Sequence, residues 1–395
     1  MDFFWENPGW ESADRHLRAL KAMPFLRPFP FIPEKEGLYV IRGPRQIGKS
    51  SWLKSILSHF SKQHRCFFAS CEEVPSFAAL GELLRSIKDR EVICLDEINF
   101  VEEWDRPVKH FIDSGYRGIL VLTGSHTLDL KRGADRMPGR FDGGGEYLLL
   151  PMDFDEFAKA RLEAGWHCRD RVTELSTYFK VGGFPAAIAE AGASNKTPKK
   201  ALDTYWRWLS GDVTRLGKSE NILSEVLAQL ARTIQTPVSL STLAKRSGIG
   251  SHNTVAEYIE ILESCFALKS LYAVDPDTGA CRFRKERKFY FTDPLIYWLG
   301  FKFAGLKISD DTQSNLAELV AHEHLSRRYE GFGYFQSRNG EVDFLSSKKW
   351  AIEVKWSPAA TNLSKAYLNI QVPEKTVWTQ SNFLVEWPRL GKGDS

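Results

Sequence analysis

An eight-residue motif near the N-terminus restricts the possible folds more than any other feature of the sequence. Residues 43–50 read GPRQIGKS and match the pattern G-x-x-x-x-G-K-[ST]. The segment before the motif, Leu38–Arg42, is strand-like, and the segment after it, Ser51–Phe60, has helical spacing. A glycine turn that matches by chance is the alternative, and the flanking strand and helix argue against it. The motif therefore predicts a strand–loop–helix unit that binds the phosphates of a nucleotide.

Each part of this loop has a chemical role. The glycines allow backbone N–H groups to curl around phosphate oxygens, and the helix N-terminus adds its dipole. Lys49 is expected to neutralise the terminal phosphates, and the hydroxyl of Ser50 is expected to bind Mg²⁺. ATP with Mg²⁺ is therefore the expected cofactor. The predicted nucleotide-contacting residues of the loop are Gly43, Pro44, Arg45, Gln46, Ile47, Gly48, Lys49, Ser50 and Ser51.

Two acidic residues follow an apolar run about forty residues after the phosphate loop. Glu91–Leu95 is followed by Asp96 and Glu97, which predicts a buried strand with two carboxylates at its carboxyl end. Ligands bind at that edge in open α/β sheets. Asp96 would bind Mg²⁺ and Glu97 would polarise the attacking water, so the second acid favours hydrolysis over nucleotide sensing alone. A solvated strand end is the alternative for such a pair considered without the loop.

Two further positions are candidates for contact with the nucleotide. The run Ile119–Leu122 is followed by Thr123 and Ser125, and a hydroxyl there is placed to sense the γ-phosphate or to position water. Ser125 is the first choice and Thr123 the second, while a hydroxyl that only satisfies a backbone group is an equal alternative. Arg140 follows a predicted turn and is suited to reach a neighbouring subunit's nucleotide as an arginine finger. A solvated turn arginine is its alternative.

The alternation of elements predicts the organisation of the chain. Between Gly37 and Leu150, short apolar runs alternate with amphipathic segments, which is typical of a parallel sheet with crossover helices. Helical spacing then prevails up to about Leu209, and a helix, turn, helix and strand pattern between Val238 and Phe291 indicates a winged helix-turn-helix. The predicted domains are an ATPase core (1–155), a helical lid (156–236), a winged helix-turn-helix (237–300) and a C-terminal nuclease-like domain (301–395).

The order of the motifs resembles a known family. GPRQIGKS, CLDEINFVEEWDRPVKHFID, LVLTGSHT, MPGRF and YFKVGGFPAA occur in this sequence in that order. They are similar to the AAA+ ATPases of prokaryotes that carry a C-terminal nuclease-like domain. The resemblance implies an α/β P-loop ATPase core with a helical lid, assembled into a homo-oligomer, such as a hexameric ring, with each site at a subunit junction. Asn99 occupies a position where the family has Gln. The two acids are kept, but the role of that amide in the family does not transfer directly to Asn99.

The predicted winged helix has two regions of opposite charge. Its would-be recognition helix, Ser251–Cys265, contains three glutamates and no Lys or Arg, so a structural or protein-contact role is favoured over reading a DNA groove. The predicted wing, Arg282–Lys288, contains five cations and one acid. That strip is suited to hold a phosphate backbone without reading sequence, and a solvated basic strand is an equal alternative.

A second group of carboxylates lies near the C-terminus. Glu341–Leu345 and Trp350–Lys355 read as two strands of a hairpin centred on Lys348. In that register Asp343 lies opposite Glu353, and the period of two places both acids on one face. Two opposed acids repel each other, and a bound Mg²⁺ ion is the usual remedy, so the pair predicts a metal site that acts on a phosphodiester.

This hairpin resembles the PD-(D/E)XK nuclease motif, the signature of restriction-endonuclease-like folds. Asp343 matches its first acid, and Glu353 and Lys355 match its Glu-x-Lys. The resemblance implies a third acid on the preceding helix, for which Glu318 is the choice and Glu323 the fallback. The implied metal ligands are Glu318, Asp343 and Glu353, with Lys355 orienting water. An ion-pair ladder, or a degenerate nuclease fold kept for docking, is the alternative.

Composition limits the remaining classes. With 53 basic and 50 acidic residues the formal net charge is +3, so nucleic-acid contact requires local patches. The six cysteines form no CxxC pair, the N-terminus is unlike a signal peptide and no apolar run is long enough for a membrane helix, so a cytoplasmic protein without a membrane contact is expected.

We predict an ATPase that couples ATP binding and hydrolysis to a DNA-acting, metal-dependent nuclease domain. The alternative is an ATP-dependent switch or scaffold that binds protein or nucleic acid without cleaving. A STAND-type signalling ATPase is disfavoured because no repeats follow the core.

Overall fold

The computed structural model describes residues 4–27, 29, 31–125, 137, 139–357 and 362–383. The chain divides into two compact units. The first unit comprises Met1–Pro151 with Ser264–Phe266, and the second comprises Met152–Glu263 with Ala267–Ser395. The predicted boundary between core and lid, at residue 155, falls inside a helix that begins at Phe154.

A parallel sheet forms the centre of the first unit, as the sequence predicts. Its strands are β1 (Gly37–Arg42), β2 (Cys66–Ser70), β3 (Val92–Asp96), β4 (Ile119–Gly124) and β5 (Gly145–Leu148). Their order is β2-β3-β4-β1-β5, and every neighbouring pair is parallel. Every residue of β3 is buried, which explains why that strand reads as a continuous apolar run. Because β4 lies between β1 and β3, its carboxyl end separates the phosphate loop from the two acids.

Helices cover this sheet and are connected to it by short loops. They are α1 (Trp10–Ala13), α2 (Arg15–Ala22), α3 (Lys49–Phe60), α4 (Phe77–Ser86) and α5 (Asp105–Asp113). Helix α3 begins directly after the phosphate loop and buries Trp52, Leu53 and Ile56. Asp14 caps α2 by accepting hydrogen bonds from the backbone N–H groups of the first turn. The loop is thus held between β1 and a buried helix.

The second unit begins with helices. These are α6 (Phe154–Glu163), α7 (Arg171–Val181), α8 (Pro185–Ala191), α9 (Lys199–Arg215), α10 (Glu220–Thr233), α11 (Leu240–Ser247) and α12 (His252–Ser264). Asp153 and Glu156 form a capping box at the start of α6. Gly182 has φ 76°, and a Cβ there would meet the carboxylate of Asp293 at 2.1 Å, so the break between α7 and α8 requires glycine.

An antiparallel strand pair follows these helices. The strands are β6 (Leu268–Tyr272) and β7 (Arg287–Phe291), and they are paired over their whole length. The segment Asp275–Gly279 between these strands contains a hydrogen-bonded turn, in which the Asp275 carboxylate accepts from the N–H groups of Asp277 and Thr278.

The C-terminal part of the second unit is a mixed sheet beside a long helix. The elements are α13 (Pro294–Phe303), α14 (Asp310–Arg328), β8 (Gly333–Ser337), β9 (Gly340–Ser346), β10 (Trp350–Lys355), α15 (Lys365–Asn369) and β11 (Glu374–Thr379). The strand order is β11-β10-β9-β8. Strands β9 and β10 are antiparallel with Trp350 opposite Ser346 and Ile352 opposite Phe344, so the predicted hairpin centred on Lys348 is confirmed. Lys348 has φ 59°, as a tight turn requires.

Candidate functional site

The phosphate loop has the backbone that its glycines predict. Gly48 has φ 101°, a conformation that side-chain-bearing residues rarely adopt. A Cβ on Gly43 would lie 2.0 Å from the carbonyl oxygen of Leu149, so this position excludes any other residue. Lys49 is buried, and its Nζ donates to the carbonyl oxygens of Gly43 and Pro44 at 2.9 Å each. The loop therefore encloses its lysine with neutral acceptors.

The two acids after β3 lie next to this lysine. Glu97 Oε1 is 4.0 Å from Lys49 Nζ, and Glu97 has φ 50°, so its backbone turns sharply where the strand ends. Thr123 donates its hydroxyl proton to Asp96, and the Glu97 N–H donates to Thr123 Oγ1 at 3.2 Å. Ser125 Oγ donates to Glu97 Oε2 at 2.9 Å. The structure thus brings together Lys49, both acids and both hydroxyl residues that the sequence singles out.

Asn99 also contributes to this edge, although the sequence analysis assigns it no role. Its Oδ1 accepts a hydrogen bond from the Ser125 N–H at 3.2 Å. Its Nδ2 is buried and has no hydrogen-bond partner among the described residues. The amide therefore holds the Ser125 backbone and offers one donor to the site. Only the position of Asn99, three residues beyond Asp96, indicates this role.

Arg140 lies away from the phosphate loop of its own chain. Its guanidinium forms a two-point ion pair with Asp113, with Nε–Oδ1 at 2.8 Å and Nη2–Oδ2 at 3.1 Å. It lines a pocket with Gly37 and Gly118, at the amino ends of β1 and β4, which are the opposite ends from the loop. Arg136 and Pro138 of the same segment lie outside the described residues. A role for Arg140 within its own site therefore has no support.

The second carboxylate cluster gathers on β9 and β10. Asp343 and Glu353 are both buried, and Asp343 Oδ2 accepts a hydrogen bond from the Val354 N–H at 2.9 Å. Lys355 Nζ lies 2.8 Å from Glu353 Oε1. The other oxygen, Glu353 Oε2, is buried without a hydrogen-bond partner among the described residues.

A lysine that the sequence analysis assigns to the basic wing lies inside this cluster. Lys288, on β7, is completely buried. Its Nζ lies 3.1 Å from Glu318 Oε1 and 3.6 Å from Asp343 Oδ1, and it also forms an ion pair with Glu341. The wing interpretation is therefore wrong for Lys288. The sequence places it in a run of exposed cations, but strand alternation turns it to the opposite face.

The two candidate acids on α14 have different surroundings. Glu318 Oε1 accepts hydrogen bonds from Lys288 and, at 2.5 Å, from the Tyr290 hydroxyl. Glu323 forms an ion pair with Arg327 on its own helix. The structure thus brings Glu318 to the cluster and leaves Glu323 in a separate ion pair.

Burial and mutual charge shift the titration of the cluster. Burial, with a further contribution from Asp343, raises the pKa of Glu318 to about 8. The same two causes raise the pKa of Glu353 to about 7. Burial alone would lower the pKa of Lys288, but the charges of Glu318 and the other groups around it hold that pKa well above its usual range. Lys288 is therefore a permanent cation at neutral pH.

These residues do not fit the three-acid metal site that the sequence predicts. Among the residues that the structure describes, no group of three or more His, Cys, Asp or Glu side chains is arranged to hold a metal ion. The physical reason is Lys288, whose ammonium lies between Glu318 and Asp343 and already provides a positive charge. Of the predicted ligands, Glu353 has one oxygen, Oε2, that is buried without a hydrogen-bond partner among the described residues.

The rest of the basic strip divides into paired and exposed cations. Arg282 forms an ion pair with Asp275, and the Arg287 guanidinium lies 5.1 Å from the ring centre of Tyr272. Arg284 and Lys285 are exposed, and Phe283 beside them is 69% exposed. The strip that faces solvent is therefore the loop 283–286.

Two family models match parts of the chain. Residues 35–158 match a family described as an AAA domain, and residues 172–302 match one described as a domain of unknown function. The first match covers the phosphate loop, both acids and the parallel sheet. This part of the chain is therefore similar to an AAA domain and has a five-stranded parallel sheet with a phosphate loop.

Individual relatives are similar over most of the chain. An uncharacterised protein of Methanocaldococcus jannaschii is 26% identical over 368 residues, which is 88% of this chain and 79% of that protein. An uncharacterised protein of Haemophilus influenzae is 24% identical over 331 residues, which is 78% of this chain and 79% of that protein. Among solved structures, a Walker-type ATPase of Pyrococcus abyssi is 14% identical with a TM-score of 0.45, covering 73% of this chain and 94% of that one. None of the described helices is long and apolar enough to cross a membrane.

Proposed function

We propose that the first unit binds and hydrolyses ATP at the carboxyl edge of its parallel sheet. The observation that carries the proposal is the approach of Glu97 to Lys49, at 4.0 Å, with Ser125 Oγ donating to the other oxygen of Glu97. The lysine is suited to the terminal phosphates, and the carboxylate beside it is suited to accept a proton from water. The AAA domain match over the same residues supports this proposal.

The same edge fits a magnesium ion bound with the nucleotide. The Ser50 hydroxyl lies one residue beyond Lys49 at the start of α3, and Asp96 ends β3 with Thr123 donating to its carboxylate. These two residues would hold Mg²⁺, which neutralises phosphate charge when bound. Thr123 orients Asp96, and Asn99 Nδ2 provides a buried donor for the nucleotide.

Two substitutions test the hydrolysis. Lys49→Ala should abolish ATP binding and turnover, because it removes the cation that neutralises the phosphates. Glu97→Gln should lower kcat by about 100-fold or more while ATP still binds, because the amide keeps its size but accepts no proton. Steady-state phosphate release and fluorescent-nucleotide binding separate the two effects. A Glu97→Gln protein with normal turnover would remove Glu97 from the mechanism.

The proposal includes assembly into a homo-oligomer whose subunits bind ATP and release ADP. Arg140 supports it, because its guanidinium lies at the edge of the sheet opposite to its own phosphate loop. An arginine in that position is suited to act on the nucleotide of an adjacent copy. Light scattering with and without ATP measures the number of subunits.

For the second unit, we propose binding to nucleic acid through the exposed loop 283–286. The helix pair α11 and α12 followed by the strands β6 and β7 resembles a winged helix. Phe283 is suited to stack on a base, and Arg284 and Lys285 are suited to contact phosphates. This contact requires no sequence recognition, in agreement with the acidic helix α12.

The salt dependence of DNA binding tests this contact. Arg284→Ala/Lys285→Ala should reduce the slope of log affinity against log salt by about 1 to 2, since each lost phosphate contact removes about 0.9. The matched control is Lys302→Ala, which removes an exposed cation that pairs with Asp203 on another part of the unit. An unchanged slope in the double variant would refute the assignment of the contact to this loop.

The C-terminal sheet resembles a restriction-endonuclease-like fold, and we propose that it binds without cleaving. Asp343 on β9, Glu353 and Lys355 on β10 and Glu318 on α14 support the resemblance. Lys288 argues against metal-dependent cleavage, because it places an ammonium among the predicted metal ligands. We therefore favour an ATP-dependent switch or scaffold over an ATP-driven nuclease. Incubation of the protein with linear, branched and single-stranded DNA in Mn²⁺, with and without ATP, tests this choice.

A further inference from the structure

The position of Lys288 determines what the carboxylate cluster can bind. Its Nζ has carboxylate oxygens on three sides, from Glu318 on α14 and from Glu341 and Asp343 on β9. The side chain is 0% exposed, so water does not share in the solvation of this charge. A buried ammonium is stable only beside groups of opposite charge, and buried carboxylates in turn need a cation nearby, because burial of an unpaired charge is costly.

The backbone fixes this lysine in place. Lys288 lies within β7, where it pairs with Leu271 of β6, and Tyr290 two residues later lies on the same face. Both side chains donate to the same oxygen of Glu318, at 3.1 Å and 2.5 Å. Withdrawal of the ammonium from the cluster would therefore break its hydrogen bond to Glu318 and leave buried charges without their partner.

Two lysines already offset half of the carboxylate charge of the cluster without a metal ion. Glu318, Glu341, Asp343 and Glu353 supply four carboxyl groups, and Lys288 and Lys355 supply two ammonium groups. Two negative charges remain if all four acids are ionised.

We infer that Lys288 takes the position of a metal ion in this cluster and joins β7 permanently to α14 and β9. A divalent ion bound to Glu318 and Asp343 would lie within a few ångströms of a fixed ammonium. The repulsion between the two cations would exceed the attraction of the carboxylates for the metal. The protein as it exists therefore binds no divalent metal at Asp343. Removal of the lysine charge creates a divalent metal site among Glu318, Glu341 and Asp343. This inference rests on the proposed non-cleaving function and gives it a physical cause.

The experiment measures Mn²⁺ bound to the full-length protein without nucleotide, by electron paramagnetic resonance and by calorimetry. Wild type should show no Mn²⁺ binding that depends on Asp343 at up to about 1 mM metal, a concentration that fills even weak carboxylate sites. Lys288→Met should gain one site, and Lys288→Met/Asp343→Asn should lose it. The matched control is Lys269→Met, the same substitution on the neighbouring strand β6, which should gain none.

A second variant allows for the possibility that Lys288→Met does not fold. Lys288→Gln removes the charge, keeps a hydrogen-bond donor for Glu318 and retains the three proposed ligands Glu318, Glu341 and Asp343. Near-ultraviolet circular dichroism, which detects packed aromatic side chains, identifies the variants that are folded. A folded variant of either kind that binds no Mn²⁺ overturns the inference that the ammonium occupies a metal position.

The outcomes separate this inference from the proposed function. Wild-type Mn²⁺ binding that Asp343→Asn abolishes, without DNA cleavage, overturns the inference and leaves the non-cleaving function standing. Wild-type cleavage of DNA that requires both Mn²⁺ and Asp343 overturns both. Absence of both in wild type, with a metal site gained in Lys288→Met, supports both.

Discussion

Substitution of Glu318 by glutamine should flatten the dependence of stability on pH around neutrality. The folded protein keeps a proton on Glu318 up to about pH 8, whereas the unfolded chain releases it near the ordinary value of 4.5. The folded state therefore binds more protons in this interval, and the free energy of unfolding falls as the pH rises through it. The groups that face this carboxyl are Lys288 and Tyr290 on β7, Glu341 and Asp343 on β9 and Lys355 on β10.

The size of the effect follows from the shift. A difference of one bound proton changes the free energy of unfolding by about 1.4 kcal/mol per pH unit, so Glu318 contributes a loss of about 3 kcal/mol between about pH 6 and about pH 8. Glutamine keeps the shape of the side chain and a donor and acceptor for Lys288 and Tyr290, but it does not titrate. Glu353, Asp293 and His322 titrate in both proteins, and their contributions cancel in the comparison.

Urea unfolding of the full chain at a series of pH values measures this difference. Wild type should lose more stability than Glu318→Gln by about 1.4 kcal/mol for each pH unit between about 6 and 8. Glu374→Gln, which removes an exposed carboxylate of the same sheet, should retain the wild-type slope. Equal slopes for wild type and Glu318→Gln would refute the claim that Glu318 holds a proton in the folded protein.

Three further substitutions test other parts of the structure. Inactive Arg140→Ala subunits mixed with wild type should lower ATPase activity more than in proportion if the arginine acts on a neighbour, and strict proportionality would contradict this. Gly43→Ala should abolish nucleotide binding in a fluorescent-nucleotide assay, since the added Cβ would lie 2.0 Å from the Leu149 carbonyl oxygen. Arg161→Met should lower the free energy of unfolding by about 3 to 5 kcal/mol in urea unfolding, because it leaves the Glu174 carboxylate, 2.6 Å away, buried without its partner. A loss within about 0.5 kcal/mol, as at ordinary surface positions, would contradict that last expectation.

The ATP-binding edge could be predicted from sequence because each of its parts lies at the end of an apolar run. Parallel strands end at the same edge of a sheet, so residues after β1, β3 and β4 must lie near one another whatever the rest of the chain does. Lys49, Asp96, Glu97 and Ser125 follow this rule. The contacts between them, such as Thr123 to Asp96, depend on strand order, which the sequence does not contain.

The carboxylate cluster was only partly predictable, because it is assembled from distant segments. The hairpin register followed from the symmetry of two apolar strands around Lys348, and the position of Glu318 followed from a resemblance. The role of Lys288 could not follow, since 30 residues separate it from its first partner Glu318. A run rich in cations precedes it, and only the aromatic run Phe289–Phe291 after it indicates a strand.

Lys49 and Lys288 both approach carboxylates, but the groups that compete for them differ. Both are buried, so exposure alone does not distinguish them. Lys49 Nζ donates to two neutral carbonyl oxygens at 2.9 Å each, and Glu97 Oε1 lies 4.0 Å away. A phosphate group bearing full charge attracts this ammonium more strongly than the carbonyls do. Lys288 is bound by the acidic side chains of Glu318, Glu341 and Asp343, which an incoming anion would have to displace. A phosphate can therefore replace the carbonyl partners of Lys49, whereas the acidic partners of Lys288 hold that lysine in the fold.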